Sequence, residues 1–256
     1  MLKRFTTLSP QKNMLFLSFL LPLFVMMVIY ATMGVYPFGN STLLTVDLGQ
    51  QYVDFFSYYR TTLLSDPSAL FFSFTKSFGG EMLGLWAYYL MSPFNLIFLL
   101  FPKSQLPLAV TILILMKVSA SGLTFAHLLI SRFEGKGLLV PSFAVSYALM
   151  GYVIVNQLNV MWLDGLVFLP LIILGLEKLL SGESGLYYSL FLAVMLLSNY
   201  YIGFMICVFL VIYYLFAFSR QELVSTNNLK AQLKHFFAQS ARFIGYSLLG
   251  AGLAAV

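Results

Sequence analysis

The sequence predicts an all-α, polytopic transmembrane helix bundle with a long first extracellular loop. Three observations carry that reading. Hydrophobic residues fill 60% of 256 positions and charged residues only 9%, where an ordinary soluble domain carries about 25% charge. The apolar residues gather in runs near the roughly 20 residues needed to cross the hydrocarbon core as a helix. Short polar connections separate the runs, so the length divides into one membrane unit rather than two soluble domains.

Met1 to Asn13 carries Lys3, Arg4 and Lys12 and reads as a cytoplasmic N-terminus, residues 1–13. The run from Met14 to Val35 is too long for a secretory signal and lacks a small-residue cleavage pattern after it, so it reads as a retained anchor. An outer loop follows over about 36–83. Leu83 to Pro102 is apolar but interrupted by Pro93, and it either crosses the bilayer or lies at its surface. Leu106 to Ile130 is a second clear span; Leu138 to Val155 and Leu163 to Leu180 are two more. Leu186 to Phe218 is long enough for two short helices turning near Asn199. A last run begins near Phe243 and is cut at Val256, so 14–256 reads as the N-terminal part of a transmembrane domain truncated at its C-terminal end. No internal repeat is evident.

Lysine and arginine are retained on the cytoplasmic side of short loops. With Leu83 to Pro102 interfacial or re-entrant, Lys3, Arg4, Lys12, Arg132, Lys136, Lys178, Arg220, Lys230, Lys234 and Arg242 all fall inside, ten of the fourteen basic residues. If that stretch crosses, Arg132, Lys136 and Lys178 move outside, against the rule. The favoured topology gathers Tyr36–Leu83, Asn156–Asp164 and Asn199–Tyr201 on the outer face, with Asp47, Asp54 and Asp164 among them. The net charge of +5 is dispersed between spans and forms no extended basic face, so nucleic acid is not the expected partner; membrane lipid is. The one cysteine, Cys207, lies inside an apolar run and excludes a disulfide framework.

Thr45 to Arg60 is unusually dense in hydrogen-bonding groups, and at helical spacing Asp47, Gln51, Asp54 and Tyr58 share one face. Carboxylates there serve either as a general base or holder of a divalent cation such as Mg or Mn, or as caps of a solvated loop. Asp164 heads a span, where capping is its plainer role. Lys117 sits in mid-span; an intramembrane cation needs a partner, either a lipid phosphate or a carboxylate of another helix. His127 reads as packing, and His235 as part of a basic segment facing anionic headgroups. The sequence has no phosphate-cradling glycine loop, paired-histidine zinc pattern or nucleophile elbow.

Four ordered pieces then resemble a known family: Val46-Asp-Leu-Gly-Gln-Gln-Tyr52; Trp86-Ala-Tyr-Tyr-Leu-Met-Ser-Pro-Phe-Asn95; Met161-Trp-Leu-Asp164 with Leu169-Pro-Leu171 and Gly175-Leu-Glu177; and Ser198-Asn-Tyr-Tyr-Ile-Gly203. The chain resembles the N-terminal part of the bacterial YfhO family of multi-span membrane proteins, which in turn looks like the GT-C class of glycosyltransferases. The resemblance implies transfer of a sugar from a polyprenyl-phosphate donor to an extracellular polymer such as lipoteichoic acid. It places the first-loop acid of that class on Asp47 and a second outer acid on Asp164, as catalytic or cation-holding residues. Gln50, Gln51, Tyr52, Asp54, Arg60, Tyr89, Asn95, Lys117, Trp162, Asn199 and Tyr200 become candidate substrate-binding residues, with Arg60 or Lys117 steadying the carrier phosphate. Trp86, Tyr88, Tyr89 and Trp162 either stack on sugar faces or form an interfacial aromatic belt. Family members are much longer than this chain. Two other functions fit the same composition: a flippase for a lipid-linked sugar, and a noncatalytic envelope-assembly protein.

Overall fold

The computed structural model describes residues 10–76, 78–133, 137–220 and 229–255. Lys3, Arg4 and Lys136, used above for topology, lie outside the described residues.

Helix α1 (Pro10–Thr32) ends where Gly34 takes a left-handed backbone at φ 64° and the Val35 N–H reaches back to the Tyr30 carbonyl at 2.9 Å. Glycine carries no Cβ penalty in that conformation, which makes it the usual helix stop. The connection that follows holds a π-helical turn (Leu48–Tyr52), α2 (Val53–Leu64) and a two-residue hairpin of β1 (Phe72–Ser73) with β2 (Gly80–Glu81). The Leu83–Pro102 stretch forms no continuous helix: α3 (Leu83–Leu85) runs into a π-helical turn (Trp86–Leu90), then breaks, and a 3-10 helix (Pro93–Leu99) follows. Leu90, Ser92, Asn95 and Phe98 in it are buried. Its broken backbone is thus packed against the helix bundle on one side.

Besides α1, the long helices are α4 (Leu106–Phe133), α7 (Leu163–Leu180), α9 (Tyr200–Ser219) and α10 (Leu229–Leu253). The span expected over Leu138–Val155 is broken into α5 (Leu139–Ala148) and α6 (Gly151–Asn156), with Met150 extended between them. Helix α8 (Leu186–Ser198) turns into α9 at Asn199, where two helices were expected.

Helix α4 is the centre. Two thirds of its apolar window (67%) is buried, against 28% for α1, α5–α6 and α9. It packs against α1, α5 and α7. At the α1 crossing a Cβ on Gly122 would stand 2.5 Å from the Ser18 carbonyl oxygen, and at the α7–α8 crossing one on Gly175 would stand 2.7 Å from the Tyr188 Cα. Small residues that let backbones touch are how helices associate without a hydrophobic drive between them. Helix α10 docks by hydroxyls: Tyr188 with Ser247 and Tyr214 with Ser240, both at 2.8 Å, and Ser189 donating to the Tyr246 carbonyl at 2.6 Å.

The outside is apolar. Phe24, Phe204, Ile212 and Leu248 are each more than 60% exposed, a surface that suits lipid and not water. At one end of the bundle lie the 35–102 connection, the α6–α7 turn and Asn199. At the other, Arg132 meets Glu177 at 3.5 Å and Arg242 donates to the Glu183 carbonyl at 2.6 Å.

Candidate functional site

The site is built at the first of those ends, from Asp47 outward. Val46 has φ 50°, a left-handed backbone that costs a β-branched residue on the order of 1–3 kcal/mol. Around it the loop is folded tightly: a Cβ on Gly49 would lie 2.3 Å from the Leu44 carbonyl oxygen, so only glycine fits. The strain sets the neighbouring Asp47 at the head of the π-helical turn. Asp47 is exposed and makes no side-chain cap to the turn's N–H groups. The capping role is thus not what its carboxylate does.

The carboxylate faces tyrosines. The Tyr52 phenol is pushed up to about 12, first by burial and then by Tyr89 and the Asp47 charge beside it. Tyr52 therefore stays a neutral hydrogen-bond donor at any physiological pH, and it donates to Asn159 Oδ1 at 3.3 Å. From Tyr52 the rings run on: Tyr52 to Tyr89 at 5.3 Å between centroids, Tyr89 to Tyr88 at 4.6 Å, Tyr88 to Tyr200 at 5.6 Å and to Tyr201 at 6.3 Å, Tyr201 to Trp162 at 6.5 Å. The tilted and edge-on contacts are the favoured aromatic geometries. Tyr88, Tyr89 and Trp162 are half-buried, while Tyr200 and Tyr201 are exposed.

Amides hold this platform from behind. Asn199 Nδ2 donates to the Tyr88 carbonyl at 2.8 Å, and its Oδ1 caps α9 by accepting from the Ile202 N–H at 2.8 Å. Asn95 Nδ2 donates to the carbonyls of Tyr89 (2.9 Å) and Leu90 (3.1 Å). Trp162 Nε1 donates to the Tyr88 hydroxyl at 3.2 Å.

Beneath lies a closed ion pair. Lys117 Nζ is 2.8 Å from Asp164 Oδ2 and 2.9 Å from the Val160 carbonyl, and the Ser92 hydroxyl donates to Asp164 Oδ1 at 2.9 Å. Both charged side chains have no exposure at all. The direct catalytic role expected of Asp164, and the phosphate contact expected of Lys117, do not fit this arrangement, because each is enclosed and satisfied by the other. The same contacts make Asp164 a poor cation ligand, since an ammonium and a hydroxyl already occupy its carboxylate. Among the described residues no group of three histidine, cysteine or carboxylate side chains converges.

The other expected residues divide clearly. Gln50, Gln51 and Asp54 are exposed near Asp47. Tyr58 shares a face of α2 with Asp54, and its hydroxyl is taken up within the protein, donating to the Ala69 carbonyl and accepting from Trp86 Nε1. The intervening π-helical turn contains five residues and displaces the simple helical register. Trp86 is buried in the core rather than offered to a ligand. Arg60 is half-buried, its Nε donating to the Phe101 carbonyl at 2.7 Å. Ser92, Asn159 and Tyr201 were not anticipated as contributors. An apolar cavity of about 630 Å³, lined by Pro93, Phe94, Leu96, Met116 and Phe168, opens beside the ion pair.

Fold and site together define a polytopic helical membrane protein with an acid-and-tyrosine site at one end of its bundle. The sequence profile described as Bacterial membrane protein YfhO matches residues 18–256, and the chain belongs to that family. No curated protein and no solved structure matches it.

Proposed function

We propose that this chain carries the reaction centre of a membrane glycosyltransferase that moves a sugar from a polyprenyl-phosphate donor to an extracellular polymer such as lipoteichoic acid. The observation that carries the reading is the Asp47 carboxylate: exposed, uncapped, set on a strained backbone and bordered by tyrosines. Such a group takes a proton from an acceptor hydroxyl. The hydroxyl oxygen attacks the anomeric carbon, its proton passes to Asp47, and the bond from that carbon to the phosphate oxygen breaks to release polyprenyl phosphate.

Tyr52, whose proton goes to Asn159 Oδ1, borders the base as a neutral phenol with an acceptor oxygen. Tyr88, Tyr89, Tyr200, Tyr201 and Trp162 offer flat apolar faces with polar rims, the usual lining of sites that bind organic ligands. Gln50, Gln51 and Asp54 lie within the same exposed stretch and suit sugar hydroxyls. The apolar cavity of Pro93, Phe94 and Phe168 suits the isoprenoid tail. Arg60 is the more accessible of the two cations expected to meet the carrier phosphate. In this reading the Asp47 end is extracellular and the Arg132 end cytoplasmic, in keeping with the positive-inside rule.

The test expresses the full-length protein, wild type and Asp47→Asn, in membranes of a strain lacking it and measures transfer of labelled sugar to surface polymer. Loss of a general base lowers turnover by roughly 100- to 10,000-fold. Normal transfer by Asp47→Asn at equal expression removes Asp47 from the mechanism. If wild type transfers no sugar from any donor tried, the flippase or assembly role replaces the transferase.

A further inference from the structure

We propose that Ser92, Lys117 and Asp164 are positioning residues: a buried lock that holds the 86–99 segment, and with it Tyr88 and Tyr89, beside Asp47. Its meaning for catalysis rests on the transferase reading; its meaning for the fold does not.

Three separate pieces of chain meet at the lock, one of them through two groups. Lys117 projects from α4, Asp164 from the first turn of α7, the Val160 carbonyl from the turn before it, and Ser92 from the break between the π-helical turn and the 3-10 helix. Ser92 works in both directions, donating to Asp164 Oδ1 at 2.9 Å and accepting from the Phe94 N–H at 3.3 Å, so it starts the 3-10 helix while anchoring it to α7. The Phe94 ring lies 5.7 Å from Lys117 Nζ and closes the remaining side. Ser92 is 2% exposed, Lys117 1% and Asp164 0%.

A charge pair sunk this deep is a poor device for stability, because well-packed apolar residues serve that end at least as well. It is a good device for placement. An apolar contact tolerates sliding, whereas the carboxylate here accepts from two donors in fixed directions and is satisfied in one arrangement only. The segment it fixes needs such help: between Leu90 and Pro93 its helical hydrogen bonding is interrupted, and no continuous helix carries Tyr88 and Tyr89 into place. The lock supplies from the side the restraint that a continuous helix would supply along its axis.

The experiment is hydrogen exchange by mass spectrometry on the full-length protein in lipid nanodiscs. It compares wild type, Ser92→Ala, and the apolar double variant Lys117→Met with Asp164→Leu, which keeps the interior uncharged and packed. The lock predicts exchange roughly tenfold faster for amides of residues 86–99 in both variants, the scale of one lost internal hydrogen bond, with α4 and α7 unchanged. Unchanged exchange at 86–99, or a rise spread equally over all helices, overturns it. In the transfer assay the same variants raise KM for the lipid-linked donor more than they lower kcat, since a displaced platform loses binding common to ground and transition states. Faster local exchange in a protein whose wild type transfers no sugar upholds the lock and defeats the transferase reading, so the two fail separately. Faster local exchange with unaltered KM in an active enzyme overturns the positioning role.

Discussion

Replacing Lys117 by Met leaves the Asp164 carboxylate buried with only the Ser92 hydroxyl. The group is then a buried charge without its counter-ion, and breaking a buried pair from one side costs about 3–5 kcal/mol of stability. The reverse variant, Asp164→Leu, leaves the Lys117 ammonium with only the Val160 carbonyl and loses a similar amount. The double variant, Met with Leu, stays within about 1 kcal/mol of wild type, as exchanges of buried ion pairs for apolar side chains commonly do. Chemical unfolding in mixed micelles reads all three. Single variants within about 1 kcal/mol of wild type, or a double variant that loses as much as either single one, would refute a closed pair and mean that water reaches it.

Two smaller perturbations test the rest of the site. Val46→Gly relieves a left-handed backbone at a residue that is 66% exposed and contributes little burial; a gain of about 1 kcal/mol in unfolding free energy is expected, with a measurable loss of transfer because Asp47 is no longer held in one direction. Asn199→Ala removes both the α9 cap and the bond to the Tyr88 carbonyl; a loss of roughly 1–2 kcal/mol is expected in the same unfolding assay.

Run length and charge bias together made most of the bundle legible in the sequence. The α1, α4 and α9 spans, the turn at Asn199 and the broken backbone of Leu83–Pro102 all follow from the length of apolar runs and from Pro93. What stayed hidden was hidden for physical reasons. Spacing arguments assume a regular helix, and the π-helical turn at Leu48–Tyr52 breaks that assumption; nor does spacing show that the Tyr58 hydroxyl is spent on the Ala69 carbonyl. Asp164 and Lys117 were each singled out because charge is rare in such runs, but two separate stretches give no sign of meeting until helices are packed. A carboxylate of another helix was one of the partners open to Lys117, and that alternative is the one realised. Ser92 is a common residue before a proline, and nothing in its neighbours marks it as Asp164's donor. The left-handed backbone at Val46 runs against what a β-branched residue prefers, so no propensity could have foretold it.

Asn199 joins Tyr88 across 111 residues of chain, and Asp164 joins Ser92 across 72. During synthesis these partners do not exist together. At about 5–20 residues per second the 86–99 segment waits on the order of ten seconds for the amide that will seat it, while Lys117 is made 47 residues ahead of its counter-ion. The order of arrival thus runs opposite to the order of need. The first half of the chain is made with an unpaired cation and an unseated loop, and both are completed only once α7, and then the α8–α9 hairpin, have followed.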